Sequence, residues 1–134
     1  TGVQTCALPI FIDYALGAVA AAGLTEVAGI VNEESRGIED HCRRRWPQMH
    51  FDFVRRTTPS SMESLFTLAP LLGAGRFVLL TVDAIFAPSV LAEFLAAAAA
   101  QPEAQGVLAV SDFVEDEKPL WVRLAAGPVR RGGG

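Results

Sequence analysis

Phe77-Val78-Leu79-Leu80-Thr81-Val82-Asp83 carries six apolar or β-branched residues straight into a carboxylate. Gly73, Gly75 and Arg76 precede the run, and Ala87-Pro88-Ser89 follows it. A short continuous apolar run with such flanks predicts a strand buried on both faces, the pattern of a parallel sheet covered by helices. Just upstream, Ser60-Ser61-Met62-Glu63 sets a glutamate three residues after a serine. That is a capping box, and it predicts an apolar helix reaching Leu72 and closed by Gly73 and Gly75. Downstream, Pro88 sits where a first helical turn tolerates proline, and the alanines of 96–100 carry that helix toward Pro102. Residues 106–110 predict another buried strand, and 120–124 one more before the Ala126-Gly127-Pro128 turn.

The same alternation runs toward the N-terminus. Apolar residues recur at helical spacing over 12–22, Gly23 offers a stop, and Glu26 to Val31 forms a short apolar run between polar flanks. Asn32-Glu33-Glu34-Ser35 supplies capping side chains ahead of a polar helix over 38–46. Arg43, Arg44 and Arg45 lie at its negative end, and Pro47 ends it. Residues 49–54 alternate Met, His, Phe, Asp, Phe, Val, the period of a half-buried strand near a sheet edge. Alternating helices and buried strands predict a three-layer α/β/α sandwich, mostly parallel, with right-handed crossovers.

Composition sets the outer limits. The 134 residues carry 15 acidic against 11 basic side chains, net charge -4, with 51% hydrophobic residues, which suits one domain with a real core and argues against disorder. The acidic balance argues against a nucleic-acid partner. No run of about 18 apolar residues is present, so no membrane-spanning helix is expected, and the start lacks the charged and apolar regions of a secretory signal. Two cysteines, Cys6 and Cys42, make no disulfide scaffold and no metal spacing, which points to a reducing, cytoplasmic setting.

The ends read differently from the middle. Residues 1–10, Thr-Gly-Val-Gln-Thr-Cys-Ala-Leu-Pro-Ile, resemble the translation of a short-read sequencing adapter and are set aside from the domain, taken as 11–134. Arg130-Arg131-Gly132-Gly133-Gly134 closes with neither helix nor strand, so a partial domain, cut at both ends, is expected.

In open α/β sheets ligands bind beyond the carboxyl ends of the strands. The segments to weigh are therefore 32–35, 55–61, 83–86 and 111–116. Asp83 ends the most apolar run, where it either accepts backbone N–H bonds in a turn or contributes to a magnesium site, since that cation takes one or two carboxylates plus waters and phosphate oxygens. Arg55 and Arg56 follow a strand and are candidate phosphate contacts. Asp112, Glu115, Asp116 and Glu117 read as a solvated acidic loop. His41 and Cys42 point about 100° apart on a helix and make a poor ligand pair. His50 reads as a strand-face residue, and Phe66, Phe77, Phe94 and Trp121 read as core.

The series Ile12-Asp13-Tyr14-Ala15-Leu16, Ala21-Ala22-Gly23, residues 27–31, Ser60-Ser61-Met62-Glu63-Ser64-Leu65 and Val78-Leu79-Leu80-Thr81-Val82-Asp83 carries a resemblance. Over residues 11–110 the chain resembles the nucleotidyltransferase superfamily, which includes sugar-1-phosphate nucleotidyltransferases and molybdenum-cofactor guanylyltransferase-like proteins. The resemblance implies a Rossmann-like, GT-A-like fold and transfer of a nucleoside monophosphate from a nucleoside triphosphate to a small phosphorylated acceptor, with pyrophosphate released. It implies Mg2+ at Asp83 and nucleotide contacts at Ser60 and Ser61.

Departures from that family are specific. Its Gly-rich triphosphate loop, with an Arg and a downstream Lys, would precede Phe11 and is not among these residues, so the chain as it stands is expected to be inactive. Val82 stands where a glycine commonly precedes the metal aspartate, and serines stand where Gly-Thr-Ala is frequent. A later metal aspartate would fall beyond Gly134. Glu117-Lys118-Pro119 resembles a family element but follows 106–110 too closely to take its place. A related GT-A glycosyltransferase would show Asp-x-Asp, whereas Ile85 holds the third position here. A non-catalytic nucleotide-binding module is the other alternative.

Overall fold

The computed structural model describes residues 2–111, so the expected strand at 120–124, its following turn, the acidic residues 112 and 115–117, the Glu117-Lys118-Pro119 element and Trp121 lie outside the described residues. The described chain is mixed α/β, with helices α1 (Gly2–Ala21), α2 (Arg36–Arg45), α3 (Ser61–Leu68) and α4 (Pro88–Ala99), and strands β1 (Glu26–Val31) and β2 (His50–Arg55). A single 3-10 turn, Ala69–Leu71, extends α3.

Helix α1 includes residues 2–10 as well as the expected stretch, a local geometry compatible with either origin of that segment. Its far end closes on Gly23, whose φ of +79° only glycine adopts without strain. Leu24 N–H donates to the Val19 carbonyl at 3.1 Å and Gly23 N–H to that of Ala20 at 3.0 Å, the paired bonds of a Schellman cap. Helix α4 begins on Pro88, which has no N–H to leave unpaired. Helix α2 departs from expectation at its start. Ser35 makes no side-chain cap. Its backbone serves instead, through a turn to Asn32 and a bond from Ile38 N–H to the Ser35 carbonyl, each 3.1 Å.

Strands β1 and β2 pair in parallel from Glu26 opposite His50 to Val31 opposite Arg55, with α2 as the crossover. Leu16, Ala18 and Val19 of α1, Ile38 and Cys42 of α2, Trp46, Met49, Phe51 and Leu91 of α4 bury together against this sheet. Each large apolar side chain removed from water here contributes about 1.5–3 kcal/mol. One carboxylate fastens the layer: Asp13 of α1 accepts from Trp46 Nε1 at 3.0 Å and pairs with His41 Nε2 at 2.9 Å.

The outer edge of β2 is guarded, with Arg43 Nη1 donating to the Phe51 carbonyl and the guanidinium lying 5.6 Å from the Phe53 ring. The opposite edge of β1 is different. Thr25 and Val31 carbonyls take their bonds from His50 and Arg56, so the peptide groups of Ala28 and Ile30, one step out of phase, face away from β2. Among the described residues no backbone bond reaches that edge.

Residues 77–82 and 106–110 are not strands, which corrects the expectation. The sheet has two strands among the described residues. Along 77–86 burial alternates, with Val78, Val82 and Ala84 half-buried between exposed Phe77, Thr81 and Asp83, while Leu79 and Ile85 are each 58% exposed. Val78, Leu80 and Phe86 pack on the core cluster. The expected burial on both faces is replaced by alternate exposure, because a strand needs a neighbour to take its peptide groups and none pairs with this segment among the described residues. Leu108 and Val110 are likewise exposed, so 106–110 is not the buried segment that its composition predicts.

Candidate functional site

The carboxyl ends of β1 and β2 open onto a shallow cleft with two connected parts. One, of about 250 Å3, is lined by Ile30, Val31, Asn32, Arg56, Thr57, Thr58 and Ser64. The other, of about 310 Å3, is lined by Arg56, Thr57, Thr58, Pro59, Glu63, Phe66 and Thr67. This is where parallel topology puts a ligand, because the loops leaving both strands converge there.

Local hydrogen bonds set the cleft walls. Ser60 caps α3: its Oγ accepts from Glu63 N–H at 3.2 Å, one half of the expected capping box. Such a cap is worth about 1 kcal/mol. Thr58 Oγ1 donates to the Ser60 carbonyl at 3.3 Å and lies 2.5 Å from Ser64 Oγ. Each hydroxyl has one proton, and either can donate across the shorter contact between the two side chains. The loop is thereby tied to the first turn of α3.

The two arginines of the candidate set part company. Arg55 is engaged by Glu39 of α2, with Nε 2.5 Å from Oε2 and Nη2 on the same oxygen. That hydrogen bond, with the attraction of the Glu39 charge behind it, raises the Arg55 guanidinium above its ordinary value. Arg56 lines both parts of the cleft, and its side chain makes no hydrogen bond or ion pair among the described residues.

The remaining candidates are scattered. Ser60 and Ser61 are exposed at the start of α3 and line neither part of the cleft. Asp83 is exposed in a turn closed by Ala84 N–H to the Thr81 carbonyl at 3.3 Å, and its carboxylate has no partner among the described residues. It too lies outside the cleft lining. No group of three His, Cys, Asp or Glu side chains converges among the described residues. Asp83 therefore stands as a lone carboxylate, and a magnesium site there would need phosphate oxygens and waters to complete its shell.

Phe66 corrects its assignment to the core. It is 66% exposed and forms a cleft wall with Pro59. Ser64, Phe66 and Thr67 were not singled out as site residues, although their spacing from Ser60 and Glu63 marks one side of a helix. Cys42 is fully buried, and desolvation, followed by the nearby Asp13 charge, pushes its thiol up to about 11. It is inert as a nucleophile at neutral pH.

No family model matches the chain, and neither a curated protein nor a solved structure matches it. No helix among the described residues is long and apolar enough to cross a membrane.

Proposed function

We propose that this chain is the nucleotide-binding part of a nucleotidyltransferase of three-layer, GT-A-like architecture. The observation that carries the reading is the cleft at the carboxyl ends of two parallel strands, with an unpaired guanidinium, an amide and three hydroxyls around it. The Asn32, Arg56, Thr57 and Ser64 part holds no acidic side chain and suits phosphate oxygens. Pro59 and Phe66 give the other part an apolar wall on which a planar base can lie.

The reaction is attack by an acceptor phosphate oxygen on the α-phosphorus of a nucleoside triphosphate, with the α–β bridging bond broken and pyrophosphate leaving. Chemistry of this kind rests on placement and charge neutralisation rather than on a protein nucleophile. Asp83, outside the cleft lining, is the carboxylate that would hold Mg2+ together with phosphate oxygens of the substrate, and the ion would supply part of that neutralisation. Arg56 fixes the phosphates and the hydroxyls of Thr57 and Ser64 orient them. Turnover needs the Gly-rich loop named above, so binding is the property to measure.

Calorimetric titration with each of the four nucleoside triphosphates, with and without Mg2+, tests the reading. Saturable binding that strengthens with Mg2+, and that loses this dependence in Asp83→Ala, supports it. Binding indifferent to Mg2+ identifies a non-catalytic nucleotide module instead. No binding by any of the four overturns the assignment.

A further inference from the structure

We propose that Glu39, on the face of the sheet away from the cleft, is the positioning residue for Arg56. The inference rests on the reading of the cleft as a phosphate site. Glu39 is a buried carboxylate in the first turn of α2, with Ile38 and Cys42 of the same helix in the core cluster. A buried carboxylate costs free energy unless paired. Its partner is the guanidinium of Arg55, whose Nε and Nη2 both reach Oε2.

Arg55 is the last residue of β2 and Arg56 the next in line. Arg56 N–H donates to the Val31 carbonyl at 2.9 Å, the final rung of the parallel ladder. The backbone at this point is therefore held twice, through the Arg55 side chain on α2 and through the Arg56 amide on β1. Successive side chains of an extended chain leave on opposite faces. With Arg55 fixed toward α2, Arg56 is directed to the cleft side.

Glu39 also sorts the two charges. It neutralises Arg55 and leaves Arg56 as the cleft's one unpaired guanidinium among the described residues. Without the Glu39 carboxylate the end of β2 keeps only the Arg56 amide rung to Val31, and the released Arg55 competes with Arg56 for a single anion.

The test is titration of the full chain with inorganic tripolyphosphate, comparing wild type, Glu39→Gln, Arg55→Ala, Arg56→Ala and the Glu39→Gln/Arg56→Ala double variant. Glu39→Gln and Arg55→Ala are each expected to weaken binding by about fivefold, and Glu39→Gln to add nothing once Arg56 is gone, as coupled neighbours do. Arg55→Ala leaves the buried Glu39 carboxylate unpaired, so Arg55→Lys, which keeps a cation there but loses the two-nitrogen grip, preserves the test should either variant not fold, with weaker binding again expected. A purely structural Glu39 lowers the melting temperature and leaves the dissociation constant unchanged, which overturns the proposal. Tighter binding in Glu39→Gln, with Arg55 released to the anion, overturns it as well. If wild type binds while only Arg56→Ala loses affinity, this inference falls alone; if wild type does not bind, the phosphate reading falls with it.

Discussion

Arg55 and Arg56 are adjacent in the chain, yet Arg55 is turned to Glu39 on α2 and Arg56 to the cleft beside α3. One peptide step separates a structural ion pair from a guanidinium that has no side-chain partner among the described residues. Arg56→Ala removes a charge-assisted contact of about 1.5–3 kcal/mol and is expected to weaken triphosphate binding at least tenfold. The remaining affinity should also depend less on salt, read by repeating the titration across ionic strength.

Ser60 has a clear structural duty. Ser60→Ala is expected to lower stability by about 1 kcal/mol, measured by urea denaturation, because Glu63 N–H loses its acceptor. Ser60→Asp should restore the cap. A loss of nucleotide affinity in Ser60→Asp, with stability intact, would assign the serine to the ligand as well.

Cys42 ties stability to alkaline pH. Its folded pKa is raised to about 11 from an ordinary 9.0, so the folded state keeps a proton that the unfolded state releases first. Its contribution is full below pH 9 and is lost as pH rises from 9 toward 11. Cys42→Ala should flatten the decline in melting temperature over that window while costing some packing at neutral pH.

Legibility in the sequence followed the range of the forces involved. The span of β1, the Gly23 stop, the Pro88 start and the Ser60 cap are local choices, and each is found where the residues place it. The half-buried alternation of β2 also holds, and among the described residues its outer edge has no strand partner. Strand formation at 77–82 could not be read from composition, because Phe77 and Leu79 meet a ladder partner or solvent depending on chain far away in sequence. The cleft was half legible. The loops after both strands were marked, but which of Arg55 and Arg56 faces a ligand depends on a carboxylate 16 positions upstream of Arg55.

Exposed Phe77, Leu79 and Ile85, together with a β1 edge that no strand covers among the described residues, make self-association the expected behaviour of the isolated chain. Light scattering should rise with concentration, and Leu79→Lys should reduce it without moving the melting temperature. A monomer with a sharp two-state melt at high concentration would contradict this.

Trp46 turns the α1–α2 contact into an optical signal. Its indole N–H is spent on Asp13 and its ring lies 4.6 Å beneath the Arg45 guanidinium. The emission of this one side chain therefore registers whether the first helix is docked on α2. In a Trp121→Phe background the molecule carries its own fluorimeter for the docking of its first helix.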